Sequence, residues 1–114
     1  KGYVPPPLVG IWARWPYFHN SSVATLCDLL TPGPKRQKSF YIVRAKNKAT
    51  DFDKNCVGFP ASNLIKGRSD AVHYDATKVG MLNTGHDEGI LIKNGKEILT
   101  PSEKKDLIEY LKTL

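Results

Sequence analysis

The sequence predicts a mainly α-helical domain with long loops and one small β-hairpin. Three observations carry that prediction. Capping residues mark two helix starts, at Thr25 and at Thr100. An Asn94-Gly95 pair joins two short apolar-polar runs in the manner of a type I′ hairpin. Residues 60–85 show little periodicity and read as one long irregular loop. At 114 residues the chain is one domain or part of one. With 40% hydrophobic and 25% charged residues its composition is that of an ordinary globular chain. No apolar run approaches the roughly 20 residues of a transmembrane segment, and the first residues do not read as a signal peptide. A chain that begins with Lys1 rather than Met reads as a cut end.

Residues 1–10 are expected to be extended, because Pro5-Pro6-Pro7 favours polyproline geometry. Residues 10–30 follow, GIWARWPYFHNSSVATLCDLL, and crowd Trp12, Trp15, Tyr17, Phe18 and His19 ahead of a helix start. So much aromatic surface resembles the wall around a large flat cofactor. Pro16 prevents a helix there, and Asn20-Ser21-Ser22 is turn-like. Those three residues also match the glycosylation sequon, a pattern common by chance.

Thr25 can cap a short helix over residues 26–30, with Asp28 in its first turn and Leu26, Leu29 and Leu30 facing inward. Thr31-Pro32-Gly33-Pro34 ends it. Residues 39–43 (SFYIV) form the best strand candidate, and residues 56–59 (CVGF) a short second one. Residues 90–93 and 96–99 flank the Asn94-Gly95 turn. The last helix has Thr100 as N-cap, Pro101 at the first position and Glu103 completing a capping box. Leu107, Ile108, Leu111 and Leu114 then share one face, which must bury.

The net charge is +6, from 17 basic and 11 acidic residues. A positive balance serves solubility. The cluster of Lys35, Arg36, Lys38, Arg44, Lys46 and Lys48 could also steer an acidic partner protein. No recognition motif accompanies it, so nucleic acid is not the expected partner. Cys27 and Cys56 fit neither a C-x-x-C nor a zinc spacing. They could form one disulfide in an oxidising compartment or remain two buried thiols. The sequence contains no C-x-x-C-H, the haem-attachment signature.

Three histidines, His19, His73 and His86, are the main chemical signal. Hydrolysis has no supporting motif, since no G-x-S-x-G or persuasive carboxylate pair is present. His86 sits in Asn83-Thr84-Gly85-His86-Asp87-Glu88-Gly89, where flanking glycines let backbone approach a bulky group. A neutral imidazole there would suit an iron axial ligand, and an exposed turn histidine explains the same pattern.

Residues 8–30 resemble a segment of the bacterial di-haem cytochrome c peroxidase superfamily, which reads approximately L-x-G-I-W-A-x-A-P-Y-x-H-N-G-S-V-P-T-L-x-D-L-L. The rubber-oxygenase-like di-haem cytochromes are the most similar branch. Ser39-Phe40-Tyr41, Asp51-Phe52-Asp53, Val57-Gly58-Phe59, Asn83-Thr84-Gly85-His86 and the closing helix resemble later blocks of the family in the same order. Trp15 stands where Ala is usual, Ser21 where Gly is usual and Ala24 where Pro is usual, and residues 90–99 look like an insertion.

The resemblance implies that residues 1–114 are the C-terminal portion of one cytochrome c-like domain whose haem-attachment part lies upstream. The cofactor would be haem c, and His86 its distal axial ligand, with Met81 as runner-up and His73 behind it. Bis-histidine ligation favours electron transfer, because it leaves no open iron site. Trp12 and Tyr17 would pack at the haem edge or carry electrons, with plain core packing as their other role. Arg14 would face a propionate, or be an ordinary surface charge. His19 would donate to a propionate or a carbonyl, or pin its own loop. The implied partners are the rest of the cytochrome polypeptide or a partner cytochrome chain, and a redox partner protein. The implied setting is the periplasm or cell exterior of a bacterium, and the implied parent a peroxidase-like oxidoreductase. The alternative is a haem-free interaction module that packs on a partner cytochrome.

Overall fold

A computed structural model describes residues 4–114; the first part of the extended run, residues 1–3, lies outside the described residues. The chain order is a 3-10 turn at Ile11–Ala13, then α1 (Leu26–Leu29), a second 3-10 turn at Gly33–Lys35, β1 (Ser39–Ile42), α2 (Ser62–Ile65), β2 (Val72–Asp75), β3 (Ile92–Lys93), β4 (Lys96–Glu97) and α3 (Pro101–Leu111). The mainly α expectation is therefore wrong: the fold is 23% helical and 16% strand, with two small antiparallel sheets. The physical reason is length. Among the described residues only α3 exceeds one turn, and a single four-residue turn gains too few hydrogen bonds to propagate. Eight prolines and nine glycines punctuate the rest. No helix among the described residues is long and apolar enough to cross a membrane.

The two capped starts form as their sequences dictate. The Asp28 amide donates to Thr25 Oγ1 at 3.1 Å. At α3 the capping box closes both ways, with Glu103 N to Thr100 Oγ1 at 3.1 Å and Thr100 N to Glu103 Oε1 at 2.9 Å. Ile108 and Leu111 are buried, and Leu107 and Leu114 pack at the margin of the same core. Asn94 and Gly95 adopt φ of 54° and 76°, as a type I′ turn between β3 and β4 requires.

Two expectations for the middle of the chain change. Residues 60–85 contain α2 and β2, and β2 pairs antiparallel with β1 in the register Phe40↔Tyr74 and Tyr41↔His73. Residues 56–59 form no strand. Val57 has φ 61°, and Gly58 crosses the chain so closely that a Cβ there would lie 2.1 Å from the Ala24 carbonyl oxygen. Only glycine permits that crossing. It places Cys56 beside α1, and Cys27 and Cys56 form a disulfide with Cα atoms 4.9 Å apart.

Two apolar clusters result. The first joins α1 and α3 through Tyr17, Leu26, Val57, Leu91, Ile108 and Leu111. The second lies under the β1–β2 sheet and includes Phe40, Phe59, Ile65 and Tyr74. Trp15 packs against both, stacking on Phe52 at 5.8 Å and meeting Phe59 edge-on at 4.7 Å. The Trp15 ring thus joins the two clusters.

Candidate functional site

Arg36 organises the candidate site. It follows the turn that ends α1, and its side chain folds inward until the residue is only 3% exposed. A guanidinium has five N–H donors, and here each meets a backbone carbonyl. Nε donates to Asp28 O at 2.9 Å, and Nη2 to Leu29 O at 3.3 Å and His86 O at 3.1 Å. Nη1 donates to Asn83 O at 2.6 Å and to Gly85 O. One side chain therefore ties the end of α1 to three carbonyls of loop 83–89. Burial lowers its pKa, and the charges of Asp87 and Asp28 oppose that shift. Arginine remains charged regardless.

The rest of the loop is fixed in the same long-range manner. Asn83 is 1% exposed. Its amide donates to Ser22 O at 3.2 Å and Gln37 O at 3.0 Å, and its Oδ1 accepts from Lys38 Nζ at 2.7 Å. Lys38 is half-buried; burial lowers its pKa, repulsion from Arg36 adds to that, and Asp87 opposes it. Asp87 Oδ1 accepts from the Gly33 amide at 3.2 Å. A Cβ on Gly33 would stand 3.1 Å from the Thr84 carbonyl oxygen, so the turn presses directly on the loop.

His86 stands at the exposed tip of this braced loop, with φ 54°. Its ring lies 5.1 Å from that of Phe18, tilted by 33°. Arg36 covers Phe18, its Cζ also 5.1 Å from the ring centroid. The stack Arg36–Phe18–His86 thus links the aromatic segment to the histidine.

The other candidates occupy varied places. Trp12 is 44% exposed. Arg14 is exposed and donates to the carbonyls of Pro7 and Val9, closing the N-terminal turn. Tyr17 is buried, and its hydroxyl donates to Ile11 O at 2.9 Å. Burial raises its pKa far above the ordinary phenol value, with Arg14 opposing. His19 is exposed at the turn that Asn20 anchors by donating to Leu82 O at 2.9 Å and Gly80 O at 3.3 Å. Met81 packs against the second cluster. His73 lies on the exposed face of β2 beside Tyr41 and Ser39. The basic cluster shrinks, because Arg36 is a buried clamp and Lys38 a bracing residue. Sequence reasoning placed Asn83 in the His86 motif and Arg36 and Lys38 in the basic cluster, and missed that the three brace this loop.

Two clefts exist away from His86. One of about 520 Å³ lies between the disulfide and α3, lined by Leu30, Asn55, Lys105 and Ile108. The other, of about 490 Å³, lies beside Asp51, Leu64 and Arg68. Neither is lined by His86.

A haem site can be tested against these residues. Both cysteines are joined to each other, so neither can form a thioether to a porphyrin. Among the described residues no three His, Cys, Asp or Glu side chains converge as a metal cage. One axial position needs only one imidazole, and His86 presents an exposed ring on a loop held from behind. The residues fit a role as one axial ligand and do not fit covalent attachment.

Comparison with known proteins bears on the same stretch. Two curated relatives come from Sinorhizobium fredii (strain NBRC 101917 / NGR234). Uncharacterized protein y4iM is 36% identical over 124 residues, which cover 99% of this chain and 27% of that protein. Uncharacterized protein y4iJ is 39% identical over 114 residues, covering 98% of this chain and 18% of that protein. The chain thus spans less than a third of the length of these relatives. No solved structure matches. Residues 2–41, which include both Phe18 and Arg36, match the RoxA-like, cytochrome c-like family model, and this supports a cytochrome c-like domain.

Proposed function

We propose that this chain supplies His86 as an axial ligand to a haem c attached elsewhere in the same polypeptide or in a partner cytochrome chain. In this reading residues 1–114 are the C-terminal portion of a cytochrome c-like domain of the di-haem peroxidase superfamily. The observation that carries it is the support beneath His86. Phe18 and Arg36, both in the stretch that matches the cytochrome family model, are among the groups that hold the His86 loop.

When bound, the haem supplies a one-electron redox centre. The chain's own residues do the positioning. Arg36 fixes the carbonyls on both sides of the ligand, and Phe18 backs its ring. Exposed Trp12 offers an apolar surface to a neighbouring edge. A second histidine on the opposite face would give bis-histidine ligation and simple electron transfer. Peroxidase-type turnover by the parent would then need another haem with an open position, and consumption of hydrogen peroxide with a reduced donor measures it. The disulfide supports a periplasmic or extracellular location.

The absorption spectrum of the intact native protein tests the proposal. A low-spin, six-coordinate haem c is expected. Absence of a Soret band overturns it and favours the haem-free interaction module.

A further inference from the structure

We infer that the Gly33–Arg36 turn, acting through the Arg36 guanidinium, is the positioning element that sets how firmly His86 holds its ligand position. The inference rests on the ligand role proposed above for His86.

Five donors of one buried cation meet five carbonyls, two from α1 and three from loop 83–89. No carboxylate bonds that guanidinium directly, so its charge is balanced only at a distance by Asp87 and Asp28. A buried charge satisfied by carbonyls alone is costly unless every donor is placed. Shifting the loop would orphan up to three donors together. The loop is therefore locked to α1 as one body, and the disulfide ties that body to residue 56. Gly33 adds a second constraint from the turn itself, through Thr84 O and the Asp87 carboxylate. A ligand held this way dissociates rarely, so an external competitor gains little access to iron.

Competition by imidazole for the ferric haem of the intact holoprotein reads this out. Arg36→Lys keeps the charge and loses the planar fork. It is expected to raise the apparent affinity for imidazole by about tenfold, the scale of one or two lost net hydrogen bonds. Gly33→Ala presses on Thr84 and leaves Arg36 in place; a smaller rise is expected. On a His86→Ala background both substitutions should leave imidazole affinity unchanged, because they act through His86.

Unchanged affinity in the single variants overturns the inference. An equal rise with and without His86 also overturns it, since that reports general loosening of the fold. Should Arg36→Lys not accumulate as holoprotein, Gly33→Ala alone decides by the same two comparisons. A His86→Ala protein whose spectrum stays low-spin instead defeats the ligand reading itself, and is distinguishable from either outcome.

Discussion

Helix α3 and loop 83–89 keep their shapes by opposite means. In α3 the partners are neighbours in sequence: Thr100 and Glu103 cap each other three residues apart, and Ile108 and Leu111 return to the same face one turn on. In the loop the partners are remote. Its carbonyls at 83, 85 and 86 are taken by Arg36, some fifty residues earlier. Its one buried amide reaches Ser22 and Gln37. The hydrogen bonds that shape the helix lie within its own residues, and its neighbours bury its apolar face. The loop has the geometry that the first third of the chain imposes on it. A loop built this way is held without regular structure, which is what the ligand role proposed for His86 would require.

That contrast can be broken at the remote end first. Arg36→Ala should cost about 3–5 kcal/mol of folding stability, because it orphans five carbonyls and empties a buried site. The shift in urea midpoint measures it. A cost under about 1 kcal/mol would mean that the loop holds itself and that the contrast is false. Thr100→Ala should cost only about 1 kcal/mol, the usual value of an N-cap. A loss as large as that of Arg36→Ala would place α3 in the same class as the loop.

A third segment sharpens the comparison by pH. The carboxylate of Asp51 accepts from the backbone amides of Asn47 and Lys46, from Thr50 and from Arg68. These bonds, led by Asn47, hold its pKa well below the ordinary carboxylate value. A carboxylate with a depressed folded pKa stabilises above its unfolded value, about 3.9, and loses that contribution as pH falls toward the folded value. Stability should therefore fall below about pH 4, and Asp51→Asn should flatten that part of the curve while changing its shape little near neutrality. An identical acid slope in the variant would remove Asp51 as the cause. Arg36 has no such signature, because arginine does not titrate there.

The same contrast explains what the sequence made legible. The caps at Thr25 and Thr100 and the Asn94-Gly95 turn are short-range signals, and each formed where its residues stand. Strand β2 was missed because its partner β1 lies more than thirty residues earlier and only Tyr74 of VHYD is buried. The strand expected at residues 56–59 failed because the Gly58 crossing against Ala24 is a tertiary contact with no periodicity of its own. The overall helix content was overestimated because one strong helix stood for the whole. At the candidate site, His86 was visible as a histidine between glycines. Its support was not, because Arg36 sits among lysines and looked like one more surface charge. Nothing within ten residues of it names loop 83–89 as its partner.

The most direct measurement of the central claim is the ferric absorption spectrum of the intact holoprotein with and without His86→Ala. Conversion from low-spin to high-spin, with the haem content unchanged, is the result predicted for an axial ligand on this loop. A low-spin spectrum that survives the substitution would contradict it.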